Sequence, residues 1–565
     1  MRRWLLLITP VPAALVLALV LLLARAGTGV AASAPSTIAR GLPAGAVAYL
    51  ETPDLRGLLT AWHDSRAAHA LAGSAADQDM RRGMLWLRLG ERLAGIEQLA
   101  GFELTYERAR LLFGHEAGIA VYDLAGTRFV LATRLADAEI TRTPLAQARK
   151  RFASRRHEGV EYFVHEQPGQ PTLAFAFVAD RLLVGNDLEH FHQALVLTAL
   201  EAHVAVKVKP ASAPPALAGE ADYRGLVAAS PGAASLRVYV RLDDLVGTHH
   251  FDDFWVFNWA APGGMSARLD GVVASMLSLR LRDGGGGATE TRVHLVDAAG
   301  GKRIAAWPTA DRLPGAGAVG AVDVAAAGVA TLPAGLIASV DEPDVARVAG
   351  RVLRLLPRVD GAPADPAALV TLLQAARPGR SLEIVSLDAR LSRAGAIALR
   401  LADPGRLDAA ALEAALRGSL TASLGARVKL DFTGSAGERT LVVPLVPAAD
   451  WALTILTPRA GAPFLIIATS PTVARELAGA LAARPLAHLL EDDAPLATRL
   501  DVATMTARWS SLAAALAPGP WPSTDGARFS GEVVPALLAS SGLTTVAALA
   551  YRAGDYRVEQ VDFLW

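Results

Sequence analysis

The chain states one short phrase twice, and that repetition constrains its fold more than any other feature. Leu42-Pro43-Ala44-Gly45 opens a stretch that runs to Glu51-Thr52-Pro53-Asp54-Leu55. Leu332-Pro333-Ala334-Gly335 opens another that runs to Asp341-Glu342-Pro343-Asp344-Val345, and the two align without a gap at an offset of 290 residues. Exchanges at Val47/Ile337 and Leu50/Val340 are mild, while those at Tyr49/Ser339 and Thr52/Glu342 are larger. Self-similarity of this kind predicts one fold unit per copy. Residues 46–50 and 336–340 are apolar runs of strand length. A proline ends each run, and Asp54 and Asp344 stand where a helix N-cap is wanted. Leu55, Leu58, Leu59 and Trp62 then recur at helical spacing, as do Val345, Val348, Val352 and Leu355.

The likeness continues downstream. Residues 131–137 and 397–403 share five of seven positions, and both are followed by helical stretches at 144–152 and 408–420. Three strand-like runs come next, at 160–165, 173–177 and 182–184 in the first half and at 441–446, 452–456 and 464–468 in the second. Helices at 188–197 and 473–481 close each set. Hairpins are expected from 272–282 with 291–297, and from 543–552 with 556–564. Alternation in the last of these, as in Val558-Glu559-Gln560-Val561, suits a sheet with one face covered. The expected fold class is α+β: two pseudo-repeated halves with mainly antiparallel sheets and packed helices, plus one N-terminal transmembrane or signal helix. The boundaries fall at 1–34 (anchor or signal), 35–308 (first half), 309–331 (Gly/Ala-rich linker) and 332–565 (second half). A Pro/Ala-rich stretch at 209–221 reads as a further linker.

A chain of 565 residues is too long for one core. Its residues are 52% hydrophobic and its mean hydropathy is +0.31, yet only residues 4–24 form a run long and uncharged enough to span a bilayer. Such a span needs about 20 apolar residues. Pro10 and Pro12 interrupt it and small residues follow near Ala32-Ser33-Ala34, which keeps a cleaved signal open beside the favoured uncleaved anchor. Arg2 and Arg3 ahead of the run place the N-terminus inside and the globular mass outside the cytoplasm. The expected location is therefore a bacterial inner membrane, single-pass, facing the periplasm or exterior, or secretion if the signal is cleaved. Lys and Arg number 55 and Asp and Glu 55, with no long basic run, so no nucleic-acid partner is expected. With no cysteine, disulfides, thiolate metal sites and a Cys nucleophile are excluded.

The leucine-proline-alanine opening, a short strand ending in an acid, then Pro-Asp behind one N-terminal span, resembles a family of uncharacterised bacterial envelope proteins catalogued as a domain of unknown function. Gly159-Val160-Glu161-Tyr162-Phe163 and Asp180-Arg181-Leu182-Leu183-Val184-Gly185 are similar to it as well. The resemblance covers most of the chain after the anchor. It implies location and architecture and brings no catalytic residues.

Few groupings suggest chemistry. Gly315-Ala316-Gly317-Ala318-Val319-Gly320 matches a dinucleotide fingerprint but lacks the preceding strand that such a site needs, and reads as linker. His249, His250, Asp252 and Asp253 are dense in metal ligands, but adjacent residues diverge and no third ligand is named. The aromatic group Phe251, Phe254, Trp255, Phe257 and Trp259 is a genuine concentration in a chain with 6% aromatics. It is the candidate ligand-binding segment, lining an apolar groove or meeting a membrane interface, with core filling as the plainer reading. His190 and His192, near Asp187 and Glu189, fit an exposed helix start, and Glu491-Asp492-Asp493 fits a solvated turn. Gly434-Ser435-Ala436-Gly437 lacks the strand-turn-helix setting of a nucleophile elbow.

What repeats is the vocabulary of a scaffold. The leading expectation is an envelope-anchored, non-catalytic binding or scaffolding protein, with no cofactor and no metal. It would be attached to the membrane through its N-terminal helix and would meet an envelope protein partner or an apolar ligand. Carriage of lipid in a cavity between the halves is the alternative, and an envelope hydrolase is the least favoured reading.

Overall fold

A computed structural model describes residues 36–64, 94–123, 128–166, 172–208, 210–232, 234–243, 271–281, 287–305, 337–341, 367–376, 378–388, 391–401, 409–424, 431–435, 438–444, 450–456, 464–482, 496–501 and 542–564, with isolated residues between. The first half contributes ten strands: β1 (Ala48–Thr52), β2 (Ala117–Asp123), β3 (Arg128–Arg134), β4 (Ala153–His157), β5 (Val160–His165), β6 (Leu173–Val178), β7 (Arg181–Gly185), β8 (Leu236–Arg241), β9 (Val272–Leu281) and β10 (Gly287–Val296). The second contributes β11 (Ile337–Asp341), β12 (Pro378–Asp388), β13 (Leu391–Leu401), β14 (Asp431–Ser435), β15 (Glu438–Pro444), β16 (Asp450–Leu456), β17 (Phe464–Ala468), β18 (Leu496–Asp501), β19 (Thr545–Ala553) and β20 (Tyr556–Leu564). The main helices are α1 (Leu55–His63), α2 (Tyr106–Leu112), α3 (Leu188–Glu201), α4 (Ala221–Ala229), α5 (Ala298–Ile304), α6 (Ala367–Ala376), α7 (Ala409–Leu424) and α8 (Pro471–Ala482).

All twenty strands of the described residues join one sheet. Following the hydrogen-bonded neighbours gives the order β4-β5-β6-β7-β3-β2-β1-β8-β9-β10 in one arm. The other arm continues from β10 as β20-β19-β18-β11-β12-β13-β17-β16-β15-β14. Every pairing is antiparallel. The seam is β10 against β20, from Gly287↔Leu564 to Leu295↔Tyr556.

This corrects the expected fold class. Two pseudo-repeated halves are not what the described residues form, because one antiparallel sheet crosses the boundary between them. One apolar cluster runs along a single sheet face through both halves. It extends from Phe191 and Tyr162 through Tyr49, Tyr239, Met276, Val293 and Val558 to Leu382, Ile466 and Leu477. The physical reason is edge closure: β10 and β20 each have a free edge until they pair, and joining them removes two edges at once. What the arms share is the order of their strands, while the buried side chains described below are not repeated. The expected N-terminal helix lies outside the described residues, as do residues 310–331. Among the described residues no helix is long and apolar enough to cross a membrane.

Helices cover both faces of each arm. In the first, α3 packs on β5, β6 and β7, burying Phe191, Ala194 and Leu195. Asp187 caps this helix by accepting from His190 N at 3.2 Å. The opposite face holds Leu112 of α2 with Phe152, Phe175 and Leu182. In the second arm α8 packs on β13, β16 and β17. Leu369 and Leu373 of α6 and Leu412 and Leu416 of α7 cover the other face over Ile397, Leu399 and Ile467.

The opening phrase has a local task. Asp54 caps α1 as expected, accepting from Gly57 N at 2.9 Å. Upstream, Leu42 is fully buried, Ala44 N donates to Pro215 O at 2.9 Å and Leu217 N donates to Leu42 O at 2.9 Å. Gly45 then turns with φ +89°, a left-handed value that favours glycine, and its N–H donates to Glu220 Oε1 at 2.5 Å. The stretch at 209–221 is therefore no free linker. It docks on the phrase and delivers α4 onto the sheet.

Candidate functional site

Two polar clusters, one buried and one partly buried, lie on opposite faces of the sheet's middle strands. The first is a single rung. Register places Glu51 opposite Arg237, Arg237 opposite Ser278, Ser278 opposite Thr291 and Thr291 opposite Gln560. All five are buried, so a row of polar groups crosses β1, β8, β9, β10 and β20 inside the protein. The adjacent rung on the same face is Tyr49, Tyr239, Met276, Val293, Val558 and Tyr551. It is entirely apolar or aromatic and fully buried.

Helix α4 closes this face. Its Tyr223 ring stands edge-on to Tyr49 at 5.9 Å and to Tyr239 at 5.4 Å. Tyr223 Oη donates to Glu51 Oε2 at 3.2 Å. Arg237 reaches Glu51 Oε1 at 3.2 Å and donates to Gly232 O at 2.8 Å. The approach is close: a Cβ at Gly225 would lie 2.6 Å from Tyr556 Oη, so a larger residue there would require that phenol to shift. Burial pushes the Glu51 carboxyl above its ordinary value, and Arg237 only partly counters it. Burial beside Glu51 raises the Tyr223 phenol as well. A carboxyl with raised affinity for its proton could serve as an acid, but Glu51 is 3% exposed and its partners are all internal.

The second cluster sits on the other face, at the seam. Glu290, Arg292 and His294 alternate along β10, and Arg557 and Glu559 along β20. Arg292 pairs with Glu290 and Arg557 with Glu559. Arg292 also lies 3.8 Å from Glu559. His294 Nδ1 meets Ser275 Oγ at 2.6 Å, while its Nε2 is 3.9 Å from Glu559. The Arg557 guanidinium lies 5.2 Å from the centre of the Trp307 ring, and Trp307 packs with Ile304 and Leu496. Burial opposes ionisation of Glu559, yet Arg557, His294 and Arg292 outweigh it and hold this carboxyl well below the usual range. Burial pushes His294 down from its ordinary 6.5, Glu559 opposes, and Arg557 and Arg292 lower it further.

Ser275, His294 and Glu559 are the residue types of a nucleophilic triad, but their setting is different. Ser275 sits in β9 between β8 and β10, where the ladder engages its backbone groups and leaves none for an oxyanion. Glu559 is committed to Arg557. The cluster is an ion network that ties the two arms together.

The candidate ligand segment Phe251, Phe254, Trp255, Phe257 and Trp259 lies outside the described residues, as do His249, His250, Asp252, Asp253, Glu491–Asp493 and the glycine fingerprint at 315–320. Gly434 and Ser435 fall at the β14–β15 hairpin, where Gly434 has φ +116°. His190 and His192 share α3 without sharing a site. His190 Nδ1 bonds Asp187 Oδ2 at 2.5 Å and its ring stacks on Tyr122 at 3.9 Å. The His192 ring stacks on His157 at 4.1 Å. Sequence reading passed over residues 149–157, where Arg149, Lys150, Arg151, Arg155 and Arg156 crowd into nine positions. Their signal was local charge density, hidden by the balanced total. Among the described residues no group of three or more potential ligands is placed to hold a metal ion. No protein family, characterised protein or solved structure matches the chain.

Proposed function

We propose that this chain is an extracytoplasmic, membrane-anchored binding or scaffolding protein of the envelope type its opening resembles, without catalysis of its own. The observation that carries the reading is the single twenty-stranded sheet formed by the described residues, in whose interior the glutamates are engaged by arginines. Glu51 answers Arg237 and Tyr223, and Glu559 answers Arg557. Groups so paired stiffen a platform and leave recognition to its rim. The uncharged run at residues 4–24 supplies the anchor.

The test is topology in intact cells. Membranes should retain the full-length protein through alkaline washing, and protease added to spheroplasts should digest everything beyond residue 30 or so. Protection of the sheet from external protease would place it in the cytoplasm and overturn the reading.

A further inference from the structure

The rim of the sheet is not uniform. At one end lies β4, which among the described residues pairs with β5 alone. Its other side presents a row of unpaired backbone N–H and C=O groups, the template onto which an extended segment can add. Ala153, Ser154, Arg155 and Arg156 are all exposed, so none of the described residues lies over this edge.

The strand and the turn before it carry only basic charge, with exposed Glu161 of β5 standing opposite Arg156. The turn leading into β4 holds Arg149, Lys150 and Arg151, all exposed, and the strand adds Arg155 and Arg156. Arg155 is partly answered by Glu166 at 2.9 Å, and Arg151 donates to Gly101 O at 3.0 Å. Arg149, Lys150 and Arg156 have no ion pair among the described residues. Exposed Lys207 stands beside the β4–β5 turn, its N–H donating to Glu158 O at 3.0 Å.

Charged edges ordinarily deter edge-to-edge association. That deterrence acts on like charge: a second β4 would bring arginine against arginine. The same residues attract a strand of opposite sign, so the edge rejects its own copy and selects an acidic one. Five residues at roughly 3.3 Å each give a docking length of about 17 Å, enough for a short linear segment.

We propose that β4 is a docking edge for an extended, acidic segment of a partner protein, which adds to the sheet as an antiparallel or parallel strand and is held in register by Arg155 and Arg156 and drawn in by Arg149 and Lys150. The proposal rests on the binding role argued above and names its partner chemistry.

The experiment uses the purified full-length chain in detergent and a labelled peptide of alternating Glu and Val. Three controls accompany it: the same peptide with a central proline, its Gln-for-Glu analogue, and anionic phosphatidylglycerol vesicles. The Glu/Val peptide should bind and slow amide exchange in residues 153–157. The proline and Gln forms should bind at least roughly tenfold more weakly. R155E/R156E should reduce binding by a similar factor. R149E/K150E, in an exposed turn outside the strand, should reduce it with the sheet intact by circular dichroism.

Equal binding of the proline form would reduce the edge to a nonspecific cation patch. Vesicle binding that the peptide does not displace would assign it to lipid, and self-association abolished by R155E/R156E would assign it to a second copy. Each of these, or no peptide binding at all, overturns the proposal. If the topology test succeeds and the peptide fails, the docking edge alone is lost. If the sheet is cytoplasmic, the binding role falls with it.

Discussion

Glu51, buried, and Glu559, partly buried, both lie in the middle of one sheet, and their proton affinities move in opposite directions. Glu51 faces a single arginine, and burial wins, so its carboxyl titrates above the ordinary value. Glu559 faces Arg557, Arg292 and His294, and these together overcome burial and drive it well below. Residue type is the same and Glu559 is only somewhat less deep; the cationic neighbours decide. The comparison separates a group that tolerates neutralisation from one that must stay charged. The first belongs to a rung sealed by α4, the second to the seam that joins the arms, where Arg292 keeps 41% of its side chain in solvent.

The largest effect should come from Glu559→Gln. It leaves Arg557 beside Arg292 without their shared counter-charge, and breaking a buried pair from one side costs about 3–5 kcal/mol. Urea denaturation followed by tryptophan fluorescence should show it, and a loss below about 1 kcal/mol would mean that the network does not hold the seam.

Arg237→Met should cost less, about 1–3 kcal/mol at neutral pH, because Glu51 can take up a proton and leave only an imperfectly satisfied polar group. The sign is then diagnostic. A carboxyl with a raised folded-state value contributes stability below its unfolded value and loses it as pH rises. The deficit of the variant relative to wild type should therefore shrink on acidification toward pH 5. A deficit that grows instead would show that Glu51 is held charged.

The smallest effect is the pH slope of the wild type. His294 is depressed below 6.5 in the fold, so below that value the unfolded chain binds the extra proton and stability falls as pH drops. The slope is at most about 1.4 kcal/mol per pH unit. Glu559 adds its own loss only under its ordinary 4.5, since its folded value lies lower still. His294→Gln should flatten the profile between pH 6.5 and 5.5 and leave the acid limb in place. An unchanged upper limb would assign that slope to another group.

Local structure was largely legible from the chain. The runs at 160–165 and 464–468 match β5 and β17 to the residue, and the last hairpin follows its alternation closely. Asp54 caps α1 because Pro53 stops a strand just before it. What escaped was the long-range pairing. Residues 287–296 and 556–564 meet across nearly half the chain, and no periodicity marks which strand will be whose neighbour. Both faces of β10 are covered, so Thr289-Glu290-Thr291-Arg292 reads as polar although Glu290 and Thr291 are buried. The same blindness hid Glu51: in sequence it is the polar end of a strand, and only Tyr223, far along the chain, makes it an interior residue. The docking edge was missed for the opposite reason, since a balanced total of charge conceals where the charge lies.

Among the described strands β20 comes last along the chain, yet it stands at the centre of their order, between β10 and β19. As the polypeptide emerges, both arms can assemble around their own neighbours while β10 and β19 each wait with a bare side. The sheet is thus completed from the middle and at the end, and the interval before residues 556–564 arrive is when the growing chain most needs shielding from other chains.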